Sequence, residues 1–341
     1  MMYNYNDIKH LHLEISSLCN AQCPQCPRNL FGYKHNFGYV EKNMTLEEAK
    51  IIFPESFIKQ LEIVLINGNF GDCVMNPETP DIVEWFRETN PYMRIEISTN
   101  GGARDKEFWQ RLAYSNCYVH FCIDGLEDTH SIYRRNTVYE TVLNNAKIFI
   151  EAGGRAIWKY IPFKHNEHQI DEARELSQQL DFVSFVRVDQ GRNQGPIIGS
   201  DATVVGYLGE PEDYYSDPGF VQNVMNQEPV QKPIEDEIKN IKCEVEHQRS
   251  VYVDSTGDVY PCCYLGFAPR TYRGMRTQES LNLIPLLGNN NALANSLEDC
   301  MQWFTNVTNS WDKDWENNRC LTCNNVCGQD GFVDKIMWEY E

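Results

Sequence analysis

Six apolar, β-branched runs alternate with helix-period stretches over the first half of the chain. The runs are Leu11–Ser16, Leu61–Asn67, Met93–Ser98, Tyr118–Ile123, Arg155–Pro162 and Phe182–Val188. Between them lie Thr45–Gln60, Thr79–Glu88, Asp105–Ala113, Val138–Ala152 and Asn166–Leu180. Strands separated by helices must run parallel, because each crossover returns the chain to the same end of the sheet. The pattern predicts an α/β fold, and six β-α units suit a partial barrel. In such folds the chemistry sits at the C-terminal ends of the strands. Thr45-Leu46-Glu47-Glu48 fits a capping box, and Ala152-Gly153-Gly154 fits a helix stop.

Just after the first run comes Cys19-Asn20-Ala21-Gln22-Cys23-Pro24-Gln25-Cys26. Three thiolates on one short loop can hold three irons of a [4Fe–4S] cluster, which normally takes four cysteines. No fourth cysteine follows nearby, so one iron is left for a non-protein ligand. A zinc loop, or three unrelated core cysteines, are the plainer readings of the same residues. The C-x3-C-x2-C spacing resembles the signature of the radical S-adenosylmethionine (SAM) superfamily. That resemblance implies a (β/α)6 core, a SAM-binding [4Fe–4S] cluster on Cys19, Cys23 and Cys26, and a radical that abstracts a substrate hydrogen. It also implies an external electron donor such as a flavodoxin or ferredoxin.

Seven of the thirteen cysteines lie beyond Ile241. Ser250–Tyr260 alternates around a glycine-containing turn and reads as a hairpin. Cys243 precedes it, Gly257 sits in its turn, Cys262 follows, and Cys320-Leu321-Thr322-Cys323 and Cys327 come later. A hairpin that pairs two sulfurs, joined by a later C-x-x-C, supplies four ligands. The arrangement resembles the SPASM and Twitch extensions of radical SAM enzymes. The run is too short for the full SPASM pattern. The resemblance therefore implies one auxiliary [4Fe–4S] cluster on Cys243, Cys262, Cys320 and Cys323, with Cys327 as the best replacement ligand. A structural four-cysteine zinc site is the alternative. Cys263 should point away from Cys262, and Cys300 has no assigned role. Cys73, Cys117 and Cys122 read as buried core thiols.

The resemblance extends to the strand ends. Ile66-Asn67-Gly68-Asn69-Phe70-Gly71-Asp72 looks like the glycine-rich region that meets the amino group of SAM, with Asp72 where glutamate is common. Ser98 and Asn100, in Ser98-Thr99-Asn100-Gly101, match residues near the SAM ribose and carboxylate. Cys122-Ile123-Asp124-Gly125 followed by Tyr133-Arg134 is similar to a Ser-x-Asp-Gly and Tyr-Arg pair, so Arg134 would meet the SAM carboxylate while Cys122 replaces the serine. The cofactor contacts implied are thus Gly68, Asn69, Gly71, Asp72, Ser98, Asn100 and Arg134. Each has a plainer reading as a turn residue or a structural ion pair.

The expected organisation is a core over 1–190, an irregular connecting segment over 191–240 that covers the barrel mouth or is a plain surface loop, and a cysteine-rich Twitch/SPASM-like domain over 241–341. A formal charge of −19 and the lack of a Lys/Arg run disfavour nucleic acid. The start carries no signal-peptide pattern, no apolar run suits a membrane span, and the cysteine usage fits a reducing cytoplasm. The substrate expected is a small molecule or short peptide, oxidised or cross-linked, since only about ten residues precede the first strand and leave no room for a peptide-recognition domain. The alternatives are a maturase of the sulfatase-maturating or ribosomal-peptide type, and a non-enzymatic zinc protein. Asp258, Tyr260 and Tyr264 are candidates for a proton acceptor, with no means of choosing among them.

Overall fold

The computed structural model describes residues 3–33, 40–188, 194–217, 219–226, 240–267, 278–313 and 319–328. Six parallel strands form in the expected places: β1 (His10–Leu13), β2 (Ile63–Ile66), β3 (Arg94–Thr99), β4 (Tyr118–Cys122), β5 (Arg155–Tyr160) and β6 (Ser184–Arg187). They pair in sequence order, each with its predecessor. One face of each strand is apolar: Leu11, Leu13, Val64, Ile66, Ile95, Ile97, Val119, Phe121 and Trp158 are buried in the main core. The other face of β1, β3 and β4 carries His10, His12, Glu96, Ser98 and His120, and these line an interior cavity. Period-2 alternation thus divides helix-packed wall from polar lumen.

The crossover helices follow the predicted stretches with two corrections. Thr45–Gln60 is two helices, α1 (Leu46–Ile52) and α2 (Glu55–Gln60), because Pro54 lacks an N–H and starts the second one. The last stretch opens with a 3₁₀ turn, Glu167–Gln169, before its helix, Ile170–Gln179. The capping box is present: the Glu48 amide donates to Thr45 Oγ1 at 3.1 Å and the Thr45 amide donates to Glu48 Oε2 at 3.0 Å. Gly153, at φ +87°, takes the left-handed conformation that ends the helix Tyr139–Glu151.

The segment expected to be irregular contains regular pieces. A two-stranded antiparallel ribbon, β7 (Pro196–Ile198) with β8 (Val204–Tyr207), is followed by the short helices Asp213–Ser216 and Phe220–Met225. The ribbon lies on the cysteine loop side, since the Ile198 amide donates to the Phe31 carbonyl at 2.8 Å and Ile198 and Phe220 bury themselves with Leu30 and Phe31. Parts of this segment, 189–193, 218 and 227–239, lie outside the described residues.

The predicted hairpin is β9 (Ser250–Val253) and β10 (Val259–Tyr260), but it is not set apart from the core. β9 pairs in parallel with β1, with His10 opposite Ser250 and His12 opposite Tyr252. The sheet therefore has eight strands, in the order β10-β9-β1-β2-β3-β4-β5-β6. Residues 268–277, 314–318 and 329–341 of the cysteine-rich region lie outside the described residues. Among the described residues, no helix is long and apolar enough to cross a membrane.

Candidate functional site

The cysteine loop leaves β1 and folds back over the strand ends. Asn29 Nδ2 donates to the Cys23 carbonyl at 2.9 Å, and the Gln22 amide donates to the Arg135 carbonyl at 2.9 Å, so the loop is tied at both ends. Two side chains, Asn100 just past β3 and Arg134 at the end of the short helix His130–Tyr133, point donors at its sulfurs. Arg134 Nη1 stands 3.8 Å from Cys23 Sγ, and Asn100 Nδ2 stands 3.7 Å from Cys19 Sγ. Arg134 is held in place by Asp124, whose fully buried carboxylate takes Nε at 2.6 Å on one oxygen and the Ile161 amide at 2.7 Å on the other.

Two of the three thiols, Cys19 and Cys23, are costly to ionise unaided. Burial pushes Cys23 up to about 11, against the pull of Arg134. Cys19 is driven well above the ordinary thiol range by burial, Asp72 and the two neighbouring sulfurs. A cationic iron centre would reverse that balance, and the all-sulfur donor set flanked by two N–H donors fits a [4Fe–4S] cluster. Among the described residues, no three His, Cys, Asp or Glu side chains converge on one point as a single-ion site requires. Ligands of a four-iron cluster each bind a different iron and need no such convergence.

The glycine-rich loop after β2 lies against the cysteine loop. A Cβ on Gly71 would collide with the Ser16 carbonyl, so only glycine admits this approach. Asp72 is buried and its carboxylate is already engaged: it accepts from Thr99 Oγ1 at 2.6 Å, the Asn100 amide at 2.7 Å and the Val74 amide at 3.1 Å. Gly68 packs against Glu14, and Asn69 Nδ2 donates to the Cys263 carbonyl at 2.8 Å. Ser98 lines the cavity, with its hydroxyl 3.6 Å from Cys122 Sγ. Asp72, Asn100 and Arg134 thus gather around the cysteine loop, Gly71 closes against its start, and Asn69 and Ser98 face the C-terminal segment and the lumen.

The second cysteine group also assembles. Cys243, Cys262, Cys320, Cys323 and Cys327 lie close enough for their charges to raise one another. Cys320 and Cys323 are in hydrogen-bond contact, and the Lys242 amide donates to the Cys327 carbonyl at 3.1 Å. Cys263 stays within charge range of Cys262 as well as of Glu14 and lines the same cavity, and Cys300 is buried in the core beside Asp258 and Asp299. Cys73 and Cys117 are core thiols as expected, and Cys122 is buried at the lumen edge.

One cavity of about 380 Å³ joins the two halves. Its walls are the inner faces of β1 to β5 on one side and Cys243, Cys262, Cys323 and Cys327 on the other. Tyr264 lines it, whereas Tyr260 is buried in the core and Asp258 accepts from Asn291 Nδ2 at 2.8 Å. Sequence reasoning missed Glu14, Asp124 and the lumen pair Glu96–His120, whose Oε2 and Nε2 are 3.4 Å apart. Glu14 Oε1 accepts from the Phe70 and Gly71 amides at 2.8 and 2.9 Å, while Oε2 accepts from the Tyr252 hydroxyl. For Glu96 and His120 the signal was present as polar residues at alternate positions of apolar strands, and Asp124 stood in the quoted Cys122–Gly125 motif.

Residues 13–177 match the family model of the Radical SAM superfamily. No curated protein matches the sequence. Among solved structures, the fold is similar to that of Streptococcus suis SuiB, with a TM-score of 0.55 and 16% identity over 96% of this chain and 73% of that one. SuiB bound to S-adenosylmethionine gives 0.53 and 15% over 86% of this chain, which spans 65% of the length of that SuiB chain. Histidine-tagged anSMEcpe with bound AdoMet gives 0.54 and 14% over 92% and 85% of the two chains. At these identities the solved structures speak for the fold. The match to the Radical SAM superfamily thus rests on residues 13–177, and the solved structures share the fold that surrounds them.

Proposed function

We propose that the chain oxidises or cross-links a short peptide within the lumen cavity, with Cys19, Cys23 and Cys26 holding the SAM-binding cluster and the C-terminal cysteines holding one auxiliary [4Fe–4S] cluster. The observation that carries this reading is the shared cavity whose opposite walls are the lumen faces of β1 to β5 and the second cysteine group. When bound, the first cluster and SAM supply a carbon radical that takes a hydrogen atom from the substrate. Arg134, fixed by Asp124, offers its remaining N–H groups to the SAM carboxylate, and Asn100 orients the loop through Cys19. Asp72 serves this site by fixing the end of β3 through Thr99 and Asn100 and by placing its charge near Arg134. Cys243, Cys262, Cys320 and Cys323 are the auxiliary ligands, with Cys327 next to them as the replacement. Electrons reach the first cluster from an external donor such as a flavodoxin or ferredoxin.

Support for a peptide comes from structures of similar fold. SuiB was solved bound to precursor peptide SuiA, and anSMEcpe with the Cp18Cys peptide. A cavity of about 380 Å³ admits one side chain and its neighbours, not a folded protein. The test is metal and sulfide content after anaerobic reconstitution. About eight irons per chain are expected, falling to about four when Cys19, Cys23 and Cys26 are replaced by Ala. Stoichiometric zinc without labile sulfide overturns the reading, and about twelve irons would point to a second auxiliary cluster.

A further inference from the structure

The lumen holds a histidine whose two ring nitrogens have different fates. His12 Nε2 stands 2.8 Å from the Asn67 carbonyl oxygen. A carbonyl only accepts, so Nε2 carries the hydrogen and Nδ1 holds a lone pair. Among the described residues Nδ1 has no hydrogen-bond partner and is not sealed in, and His12 lines the cavity. The ring is also fixed in orientation, edge-on to Tyr252 at a centroid distance of 5.0 Å and directly opposite it in the β1–β9 register. Burial lowers its pKa to about 4, so the lone pair persists through neutral pH. Across the lumen stand Glu96, with His120 against it, and Lys159.

We propose that His12 Nδ1 is the hydrogen-bond acceptor that selects the substrate group entering the lumen, and that this group is an uncharged donor, a hydroxyl or amide N–H. A carboxylate or phosphate finds no donor on Nδ1, and the Glu96 carboxylate across the same lumen repels it. A site built around one fixed acceptor discriminates strongly against groups that cannot donate, because its buried polar atom is then left without a partner. This inference rests on the lumen being the substrate chamber and adds the chemistry of the group it receives.

The experiment uses the reconstituted holoenzyme and diethyl pyrocarbonate, which acylates unprotonated imidazole nitrogen, with mapping by mass spectrometry. His12 is expected to react at neutral pH on the time scale of the exposed His247. Millimolar pentapeptides rich in Ser, Thr and Asn should slow the reaction at His12 at least tenfold, while a pool rich in Asp and Glu should not. An unreactive His12 in the native holoenzyme overturns the proposal, as does equal protection by both pools or by neither. Iron content and SAM cleavage in the same preparation judge the cofactor reading separately, so the two failures are distinguishable.

Discussion

Arg134 Nε is 2.6 Å from Asp124 Oδ2, while Nη1 of the same guanidinium stands 3.8 Å from Cys23 Sγ. One planar group thus connects the buried end of β4 to the cysteine loop. Its remaining N–H groups are pre-oriented by a carboxylate that is itself fixed by the Ile161 amide. Replacing Arg134 with Ala should weaken SAM binding by about ten- to a hundred-fold, since charge-assisted contacts contribute about 1.5–3 kcal/mol. Equilibrium binding to the reconstituted enzyme measures this. Unchanged affinity with an intact cluster would show that Arg134 serves the loop alone.

Glu14 ties the glycine loop to β9, through the Phe70 and Gly71 amides on one oxygen and the Tyr252 hydroxyl on the other. Burial holds its carboxyl above the ordinary glutamate range, although these hydrogen bonds pull the other way. A raised native pKa means that the folded state keeps the proton better than the unfolded chain. The resulting stability is full below the ordinary glutamate value and is lost as pH rises through the native one. The deficit of Glu14→Gln relative to the parent should therefore shrink as pH rises across that window. A pH series of melting temperatures tests it, and a constant gap would rule the linkage out. Glu14→Ala, which leaves two amides without their acceptor, should cost about 1–3 kcal/mol below that window and show the same narrowing across it.

Gly71→Ala should be among the most damaging single changes outside the cysteines. The added methyl would collide with the backbone of Ser16 and Ser17, not with a flexible side chain. Overpacking of this kind costs about 1–3 kcal/mol or more. Because Ser16 leads into the cysteine loop, iron retention should fall together with the melting temperature. A variant with parental stability and iron content would mean that the loops can separate.

A Cys320→Ala/Cys323→Ala double variant should still cleave SAM but lose most product. The SAM contacts proposed here all lie within residues 13–177, whereas this pair sits across the cavity. The assay compares 5′-deoxyadenosine with modified substrate. Normal product from a folded variant that keeps its first cluster would reduce the second cysteine group to a structural element. Loss of SAM cleavage is the less expected result, yet the sheet gives it a route, since β9 pairs directly with β1.

The six strands, most helices, the capping box and the hairpin were legible in the sequence because each follows from local periodicity or a local cap. The three cysteines of the first loop were equally legible, since their spacing is set within eight residues. Pro54 was visible too, and its missing N–H divides a stretch whose apolar period runs on unbroken. What tertiary structure alone decided is long-range. Parallel pairing of β9 with β1 depends on backbone groups that any sequence possesses, so nothing in Ser250–Val253 announces that it will extend the main sheet. Cys327 joins Cys243 because the chain returns there, through 84 residues of separation that spacing rules do not span. Asp72 reads as a ligand contact from its position after β2, whereas the donors its carboxylate accepts, Thr99, Asn100 and Val74, are ones that only the fold brings to it. Glu14 and His12 were plain in the sequence as polar residues in an apolar strand. That Glu14 is tied to Tyr252 while His12 keeps a lone pair toward the cavity was decided by the pairing of β9 with β1.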